Sequence, residues 1–220
     1  MTLIVYGSAL SPFVRKVRVV LAEKRLEYTL DQVIMPTPGF VEMSPLKRIP
    51  VLRDTDRPEP NTLPDSAVIS DYLEHKWPQP ALYPAEPFEH AQAIWFEEYA
   101  DSHLTPCIGS GVFVERVMKK LIGGECDEIL VAATLKDRLP PMFDYLEKSL
   151  RGRLFLAGNA FSIADIAVAS TMVNFHHAGE KVDAARWPEL SRYVTEMHAR
   201  PSFRTFIEDE RRFLARQPAA

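Results

Sequence analysis

The sequence contains few cysteines, no excess of basic residues and no long apolar run, and each absence excludes a class of protein. Cys107 and Cys126 are the two cysteines among 220 residues. Their spacing matches neither a CxxC motif nor a metal-ligand pattern, so a reducing compartment and no structural disulfide are expected. The net charge of −4, from 26 Lys and Arg against 30 Asp and Glu, gives no electrostatic footprint for nucleic acid.

No apolar run approaches the roughly 20 residues needed to cross a bilayer. Residues 1–6 also lack the charged start, apolar core and cleavage site of a signal peptide. A hydrophobic fraction of 46% with 25% charged residues is typical of a folded globular chain. The composition therefore predicts a cytoplasmic globular protein that binds neither nucleic acid nor membranes, and it indicates no activity.

The chain is predicted to form two domains, because its local patterns change after about residue 78. Residues 1–78 alternate short apolar runs with amphipathic stretches, which indicates a small α/β domain. Residues 79–87 are rich in proline and are predicted to be a linker. Residues 88–220 carry helical patterns throughout, which predicts an all-α domain. In the first domain we expect strands at 3–6, 28–33, 51–53 and near 62–63, with helices beginning at Ser11-Pro12 and spanning 66–76.

In the second domain, the first helix is predicted to bend at Pro106 or within 109–111. Ser162 and Asp165 have the spacing of a capping box, which predicts a helix start there rather than a site. The expected helices span 88–120, 125–150, 162–177, 187–199 and 202–214. The basic run Arg15-Lys16-Val17-Arg18 of the first domain is interpreted as the solvated face of a helix.

Three short segments of the first domain carry polar groups suited to a ligand. Ser11 is a helix cap at the carboxyl edge of the first strand, where open α/β sheets bind ligands. Pro50 directly precedes a strand, and its peptide bond is either an ordinary trans bond or a cis bond. A cis bond there would turn the Ile49 backbone outward toward a peptide ligand. Asp65-Ser66 is either a plain helix cap or a site for a carboxylate and an ammonium group.

Taken together and in order, these segments resemble the cytosolic glutathione transferase family over nearly the whole chain. Each motif is weak alone, but the order and spacing of all of them are specific. The matching segments are 11–18 (SPFVRKVR), 44–52 (SPLKRIPVL), 65–69 (DSAVI), 158–165 (GNAFSIAD), 187–190 (WPEL) and 200–203 (RPSF).

The resemblance implies an α/β thioredoxin-like N-terminal domain, an all-α helical C-terminal domain, a homodimer, and glutathione as the cosubstrate. It implies that the cysteinyl part of glutathione pairs with the Ile49 backbone beside a cis Pro50. Its γ-glutamyl group would meet Asp65 and Ser66. Many members have glycine at the position of Lys47, and theta-like members have a basic pair there. Lys47 or Arg48 is therefore expected to reach the glycyl carboxylate.

The residue that activates the thiol divides the family into tyrosine, serine and cysteine types. Ser11 aligns with the serine of theta- and zeta-like members, so the resemblance implies a serine-type enzyme in which Ser11 donates to the thiolate. Tyr6 and Ser8 are the alternatives. The electrophile pocket is expected to include apolar residues that are equally candidates for the core: Leu10, Phe13, Leu104, Cys107, Ile108 and Val112.

Other positions receive weaker assignments. Asp101 lies where some members use an acidic residue of the neighbouring subunit to meet the γ-glutamyl ammonium. His176-His177 has no partner at ligand spacing, and no metal site is expected.

The leading function is transfer of glutathione to a small hydrophobic electrophile. A glutathione-dependent isomerase, dehalogenase or peroxidase is one alternative. A non-catalytic transferase-like module for protein association is the other.

Overall fold

The computed structural model describes residues 2–33 and 38–216 of the chain. The chain divides into two compact units, Met1–Tyr83 and Pro84–Ala220. The first is an α/β unit with a four-stranded sheet and the second is all-helical, as the sequence predicts. No helix within the described residues is both long and apolar enough to cross a membrane.

In the first unit, the strands are short and the sheet is mixed. The elements are β1 (Leu3–Tyr6), α1 (Pro12–Glu23), β2 (Tyr28–Asp31), α2 (Pro38–Met43), β3 (Val51–Asp54), β4 (Thr62–Pro64) and α3 (Ser66–Lys76). The strand order is β2-β1-β3-β4, with β1 parallel to β2 and antiparallel to β3. The parallel pair requires a crossover, and α1 supplies it.

Helix α1 begins as its sequence predicts but does not present a solvated basic face. Ser11 is the N-cap and Pro12 occupies the first helical position, where its missing N–H had no intrahelical partner. The expectation for the basic run is wrong, since Arg15, Lys16 and Arg18 are all buried. The buried Arg18 side chain has a hydrogen-bond partner on β2, because its Nε donates to the Tyr28 hydroxyl at 2.8 Å.

The chain after α3 is tied to the end of α1 by a buried lysine. The Lys24 ammonium donates to the carbonyls of Trp77 and Pro80 at 2.7 and 2.9 Å. It also pairs with Glu74 at 2.7 Å. All three donors of the ammonium are thereby used. Residues 77–80 are held on the first unit by these contacts.

One short helix of this unit does not follow from the sequence patterns. Helix α2 has six residues, Pro38–Met43. A helix this short is marginal by itself and shows no repeat of the apolar period. Phe40 is buried, which indicates that packing against the unit stabilises α2.

The second unit surrounds one almost fully buried helix. Its α-helices are α4 (Pro87–Tyr99), α5 (Thr105–Ile108), α6 (Lys119–Leu121), α7 (Glu128–Ala133), α8 (Leu139–Ser149), α9 (Ile163–His177), α10 (Pro188–Ala199) and α11 (Pro201–Ala215). Helix α9 is buried from Ile163 to Phe175, as expected for a helix that is apolar on all sides. It packs against α4 and α10.

The stretch in which the first long helix is predicted to bend contains π-helical turns. Π-helical segments span Ala100–Leu104, Gly109–Met118 and Thr134–Arg138. The second begins at Gly109, within the glycine-rich stretch where a bend is expected. A Cβ at Gly111 would lie 2.6 Å from the Thr134 hydroxyl oxygen. The glycine therefore permits the close approach of two π-helical segments.

The capping box at the start of α9 is confirmed. The Asp165 carboxylate accepts from the Ser162 backbone N–H at 2.9 Å, while Ser162 caps the helix. Asp165 also accepts from the Leu156 N–H at 3.0 Å and from the Tyr193 hydroxyl at 2.9 Å. Burial raises the pKa of Asp165 to about 6, against the opposite effect of these hydrogen bonds. One carboxylate thus joins the helix start to the preceding loop and to α10.

Candidate functional site

One end of the four-stranded sheet brings together the three polar segments that the sequence singles out. Tyr6, at the end of β1, lies opposite Val51, at the start of β3. Val51 in turn lies opposite Pro64, at the end of β4. The residues after β1, before β3 and after β4 therefore meet at this end of the strands, which is called the sheet edge. These residues are Ser8 and Ser11, Ile49 and Pro50, and Asp65 and Ser66.

Ser11 has its hydroxyl at the N-terminus of α1. Its backbone is extended, with φ −72° and ψ 128°, and its Oγ accepts from the Val14 N–H at 3.4 Å. Its own N–H donates to the Ser8 carbonyl at 3.0 Å. An N-cap hydroxyl that accepts from the helix still has its proton to donate to an anion. The positive end of α1 favours negative charge at the same place.

The Ile49–Pro50 segment presents backbone groups at this edge. The peptide bond between them is cis, the form that the family resemblance implies. The Pro50 carbonyl accepts from the Asp65 N–H at 3.3 Å. Neither the N–H nor the carbonyl of Ile49 makes a hydrogen bond within the described residues. An extended peptide lying along this edge can therefore pair with Ile49 as an added strand.

Asp65 is the N-cap of α3, which is the simpler of the two interpretations for this position. Its Oδ1 accepts from the N–H groups of Ala67 and Val68 at 2.9 and 3.4 Å. Its φ is +77°, a left-handed value that asparagine and aspartate tolerate better than most residues. Asp65 is exposed and Ser66 is buried. Capping uses Oδ1, and Oδ2 makes no hydrogen bond within the part of the chain described.

Lys47 and Arg48 extend a basic pair from the turn just before Ile49. Both side chains are exposed. Lys47 has φ +55°, a conformation in which a side chain costs roughly 1–2 kcal/mol and glycine is preferred. The structure therefore explains why glycine suits this position. In this chain Lys47 has the same left-handed backbone conformation and adds a positive charge.

Gly7 is a site residue that the sequence analysis missed. A Cβ at this position would lie 2.4 Å from Cγ2 of Val14 and 3.4 Å from the Ile49 Cβ. Glycine thus allows the loop after β1 to approach both α1 and the Ile49 segment. The available signal is a glycine that directly follows a strand and stands four residues before a Ser-Pro helix start, a place where close backbone approach is common.

The two alternatives to Ser11 differ in their surroundings. Tyr6 is half-buried, and the Arg53 guanidinium lies 5.7 Å from the centroid of its ring. This contact is typical of a packed tyrosine on a sheet face. Ser8 is half-buried in the same loop as Ser11. Ser11 is the one of the three whose hydroxyl caps a helix.

The expected electrophile-pocket residues divide between the two units. In the first unit Leu10 is buried and Phe13 is half-buried. The members in the second unit are at most 1% exposed, namely Leu104, Cys107, Ile108 and Val112. They pack in the interior of the helical unit, the alternative role considered for them, and their place in a pocket stays a prediction. Burial also raises the pKa of the Cys107 thiol, which disfavours the reactive thiolate.

The paired histidines have structural contacts. His177 Nε2 lies 2.8 Å from a Glu210 carboxylate oxygen, with both side chains buried. The His176 ring meets the His198 ring edge-on, with centroids 5.0 Å apart. Within residues 2–33 and 38–216, no group of three or more His, Cys, Asp or Glu side chains could hold a metal ion. Asp101 is half-buried in the first π-helical segment, and its role across a dimer stays a prediction.

Comparison with known proteins gives the family. The family model described as "Glutathione S-transferase, N-terminal domain" matches residues 10–76. The model described as "Glutathione S-transferase, C-terminal domain" matches residues 125–210. The two together cover more than half of the chain, in the expected order. The chain belongs to the glutathione S-transferase family.

Individual relatives are similar over most of their length. A glutathione S-transferase of Hyoscyamus muticus is 27% identical, with 92% of this chain and 96% of the relative covered. FtsZ-localized protein A of Caulobacter vibrioides is also 27% identical, with 91% and 88% covered. The crystal structure of a glutathione S-transferase from Rhodospirillum rubrum F11 is 28% identical, covers 93% and 91%, and has a TM-score of 0.83.

Proposed function

We propose that this protein is a serine-type, theta- or zeta-like glutathione S-transferase that uses Ser11 to activate the glutathione thiol for attack on a small hydrophobic electrophile. Glutathione is the cosubstrate of the family to which the chain belongs. The observation that carries the proposal is the meeting of Ser11, the Ile49 backbone and Asp65-Ser66 at one end of the sheet.

Each part of glutathione has a chemical partner at this edge. The cysteinyl backbone pairs with the N–H and carbonyl of Ile49, next to Pro50, which make no hydrogen bond to any described residue. The γ-glutamyl carboxylate lies at the N-terminus of α3 by Ser66, where backbone N–H groups and the helix dipole favour an anion. The γ-glutamyl ammonium meets the Asp65 carboxylate. The basic pair Lys47 and Arg48 provides positive charge for the glycyl carboxylate.

The chemical step requires a thiolate. Glutathione loses its thiol proton to solvent, and the Ser11 hydroxyl donates a hydrogen bond to the sulfur. The N-terminus of α1 adds positive potential, and both effects lower the pKa of the thiol. The sulfur lone pair then forms a C–S bond with the electrophile. The leaving group, where there is one, departs with its bonding electrons.

Ser11 is preferred to the other candidates because of its position at the helix start. Ser8 has a hydroxyl in the same loop without the helix terminus. Tyr6 is engaged with Arg53 on the sheet face. We also propose that Leu10 and Phe13 line the part of the electrophile pocket that lies on the first unit, because a hydrophobic cosubstrate requires an apolar site.

We further propose a cytoplasmic homodimer. Both cysteines are free, which supports a reducing compartment. Large apolar side chains are exposed on each unit, including Leu46 on the first and Phe88 and Trp95 on the second, and such residues support an interface. Light scattering after size-exclusion chromatography tests the dimer, and a mass near 25.0 kDa would contradict it.

A second candidate is a non-catalytic module for protein association. Its support is the similarity to FtsZ-localized protein A, whose name describes a location rather than a reaction. The two candidates differ in what they require of the sheet edge. A transferase needs glutathione bound beside Ser11, whereas an association module needs neither ligand nor hydroxyl.

Calorimetry with glutathione, followed by turnover with an aryl halide, distinguishes the candidates. The transferase binds glutathione at millimolar concentration or below, and Ser11→Ala lowers kcat by about 10²-fold, typical of losing one stabilising donor, with little change in Kd. Tyr6→Phe and Ser8→Ala are matched controls that retain turnover. An absence of binding favours the association module. Unchanged turnover in Ser11→Ala with loss in Tyr6→Phe would transfer the role to Tyr6.

The products separate the enzymatic alternatives. A transferase consumes glutathione as a thioether conjugate. An isomerase regenerates free glutathione, a dehalogenase releases halide, and a peroxidase forms glutathione disulfide.

A further inference from the structure

A buried hydroxyl is hydrogen-bonded to the turn that leads into Ile49. Ser44 directly follows α2, and only 1% of it is exposed. Its Oγ donates to the Arg48 carbonyl at 2.8 Å and accepts from the Arg48 N–H at 3.2 Å. One side chain thus hydrogen-bonds to both backbone polar groups of the residue that precedes Ile49.

The backbone of Ser44 supports the same turn. Its carbonyl accepts from the Lys47 N–H at 2.8 Å, and its N–H donates to the Phe40 carbonyl at 2.9 Å. Ser44 is therefore joined to α2 on one side and to Lys47 and Arg48 on the other. Lys47 has its left-handed φ of +55° inside this turn.

The groups positioned by this turn belong to the proposed glutathione site. The two hydrogen bonds of the Ser44 hydroxyl hold the Arg48 backbone in place. They therefore also position the start of the Ile49 segment and the backbone from which the Lys47 and Arg48 side chains extend. Ile49 is located from other directions by Gly7 and, through Pro50, by the Asp65 N–H. Without the hydroxyl, the two polar groups of Arg48 can turn to water, because Arg48 lies on the surface.

We propose that Ser44 is a positioning residue for glutathione binding, acting through the backbone of Arg48 and Ile49. This inference rests on the proposed function. A turn held in its bound conformation before glutathione arrives lowers the ordering cost of binding. Ser44 is too deeply buried to act as a ligand itself, so its removal affects affinity through the turn.

The test is calorimetry of wild type and Ser44→Ala with glutathione. We expect Kd to rise about tenfold, equivalent to about 1.4 kcal/mol. Steady-state turnover should show a similar rise in KM for glutathione, with kcat at saturation and KM for the electrophile unchanged. Ser149→Ala is the matched control. Its Oγ also donates to a carbonyl four residues away, that of Tyr145 at 2.8 Å, but in the helical unit.

Each outcome has a defined meaning. A Kd in Ser44→Ala within twofold of wild type overturns the role of Ser44 and leaves the proposed function intact. Failure of wild type to bind glutathione overturns both. If Ser44→Ala does not fold, the nearly isosteric Ser44→Cys is used. Its weaker hydrogen bonds should raise Kd several-fold, and an unchanged Kd there equally overturns the role.

Discussion

Replacing Asp165 with alanine should destabilise the helical unit by about 3 kcal/mol at pH 7. The substitution removes the acceptor for three buried donors at 2.9–3.0 Å, namely the N–H groups of Ser162 and Leu156 and the hydroxyl of Tyr193, and for a fourth, more distant one, the Ser162 hydroxyl at 3.3 Å. A buried donor left without a partner costs roughly 1–3 kcal/mol. Removing the carboxylate also removes the desolvation that raises its pKa to about 6. Because relief of this desolvation penalty offsets part of the loss, we use about 1 kcal/mol per donor, the lower end of the range.

Urea unfolding followed by tryptophan fluorescence measures this loss, because Trp95 and Trp187 both belong to the helical unit. Tyr193→Phe is the control. It removes one donor and leaves the donors of Ser162 and Leu156 bonded to Asp165, so it should cost about 1 kcal/mol. In the Tyr193→Phe background, Asp165→Ala should then cost about 1 kcal/mol less than alone. A loss below about 1 kcal/mol in the single variant Asp165→Ala would refute the assignment of this carboxylate as the acceptor that holds the three elements.

Three further variants test other parts of the structure. Lys47→Gly should stabilise the protein by about 0.5–1 kcal/mol, since glycine tolerates φ +55°. The same substitution should raise Kd for glutathione several-fold. Unchanged affinity in calorimetry would exclude Lys47 from binding. Gly7→Ala should cost about 1–3 kcal/mol in calorimetric unfolding, because its Cβ would meet Val14 at 2.4 Å, and an unchanged Tm would contradict this packing. Relative to wild type, His176→Phe should gain about 3 kcal/mol of stability as the pH falls from 6.5 to 4, and equal pH dependence in the two proteins would refute it.

The sign of the His176 effect follows from its surroundings. Burial, with smaller contributions in the same direction from Arg211, His177 and Lys181, lowers the pKa of His176 to about 4. The unfolded chain therefore takes up a proton near pH 6.5, before the folded protein does. The contribution of His176 to stability is therefore complete above pH 6.5 and is lost as the pH falls to 4. Urea unfolding at both pH values gives the difference between wild type and variant.

Local signals in the sequence predicted most of the elements and several of their ends. Ser11-Pro12, Asp65 and the Ser162–Asp165 box each begin a helix, because a cap depends on residues three or four positions apart. Helix α2 was missed because it is too short to show a period. The solvated face expected for Arg15, Lys16 and Arg18 is wrong, since their burial depends on residues distant in the chain. Arg18, for example, is hydrogen-bonded to the hydroxyl of Tyr28, ten residues further along the chain.

Short motifs and their spacing were enough to predict the four strands, the main helix caps and the family. The tertiary structure was needed to show which residues meet at the sheet edge, through the pairing of β1 with β3 and of β3 with β4. It alone showed the hydroxyl of Ser44 bonded to both sides of Arg48 and the space that requires glycine at position 7. Such contacts depend on backbone conformation and on packing between segments, which residue spacing does not encode.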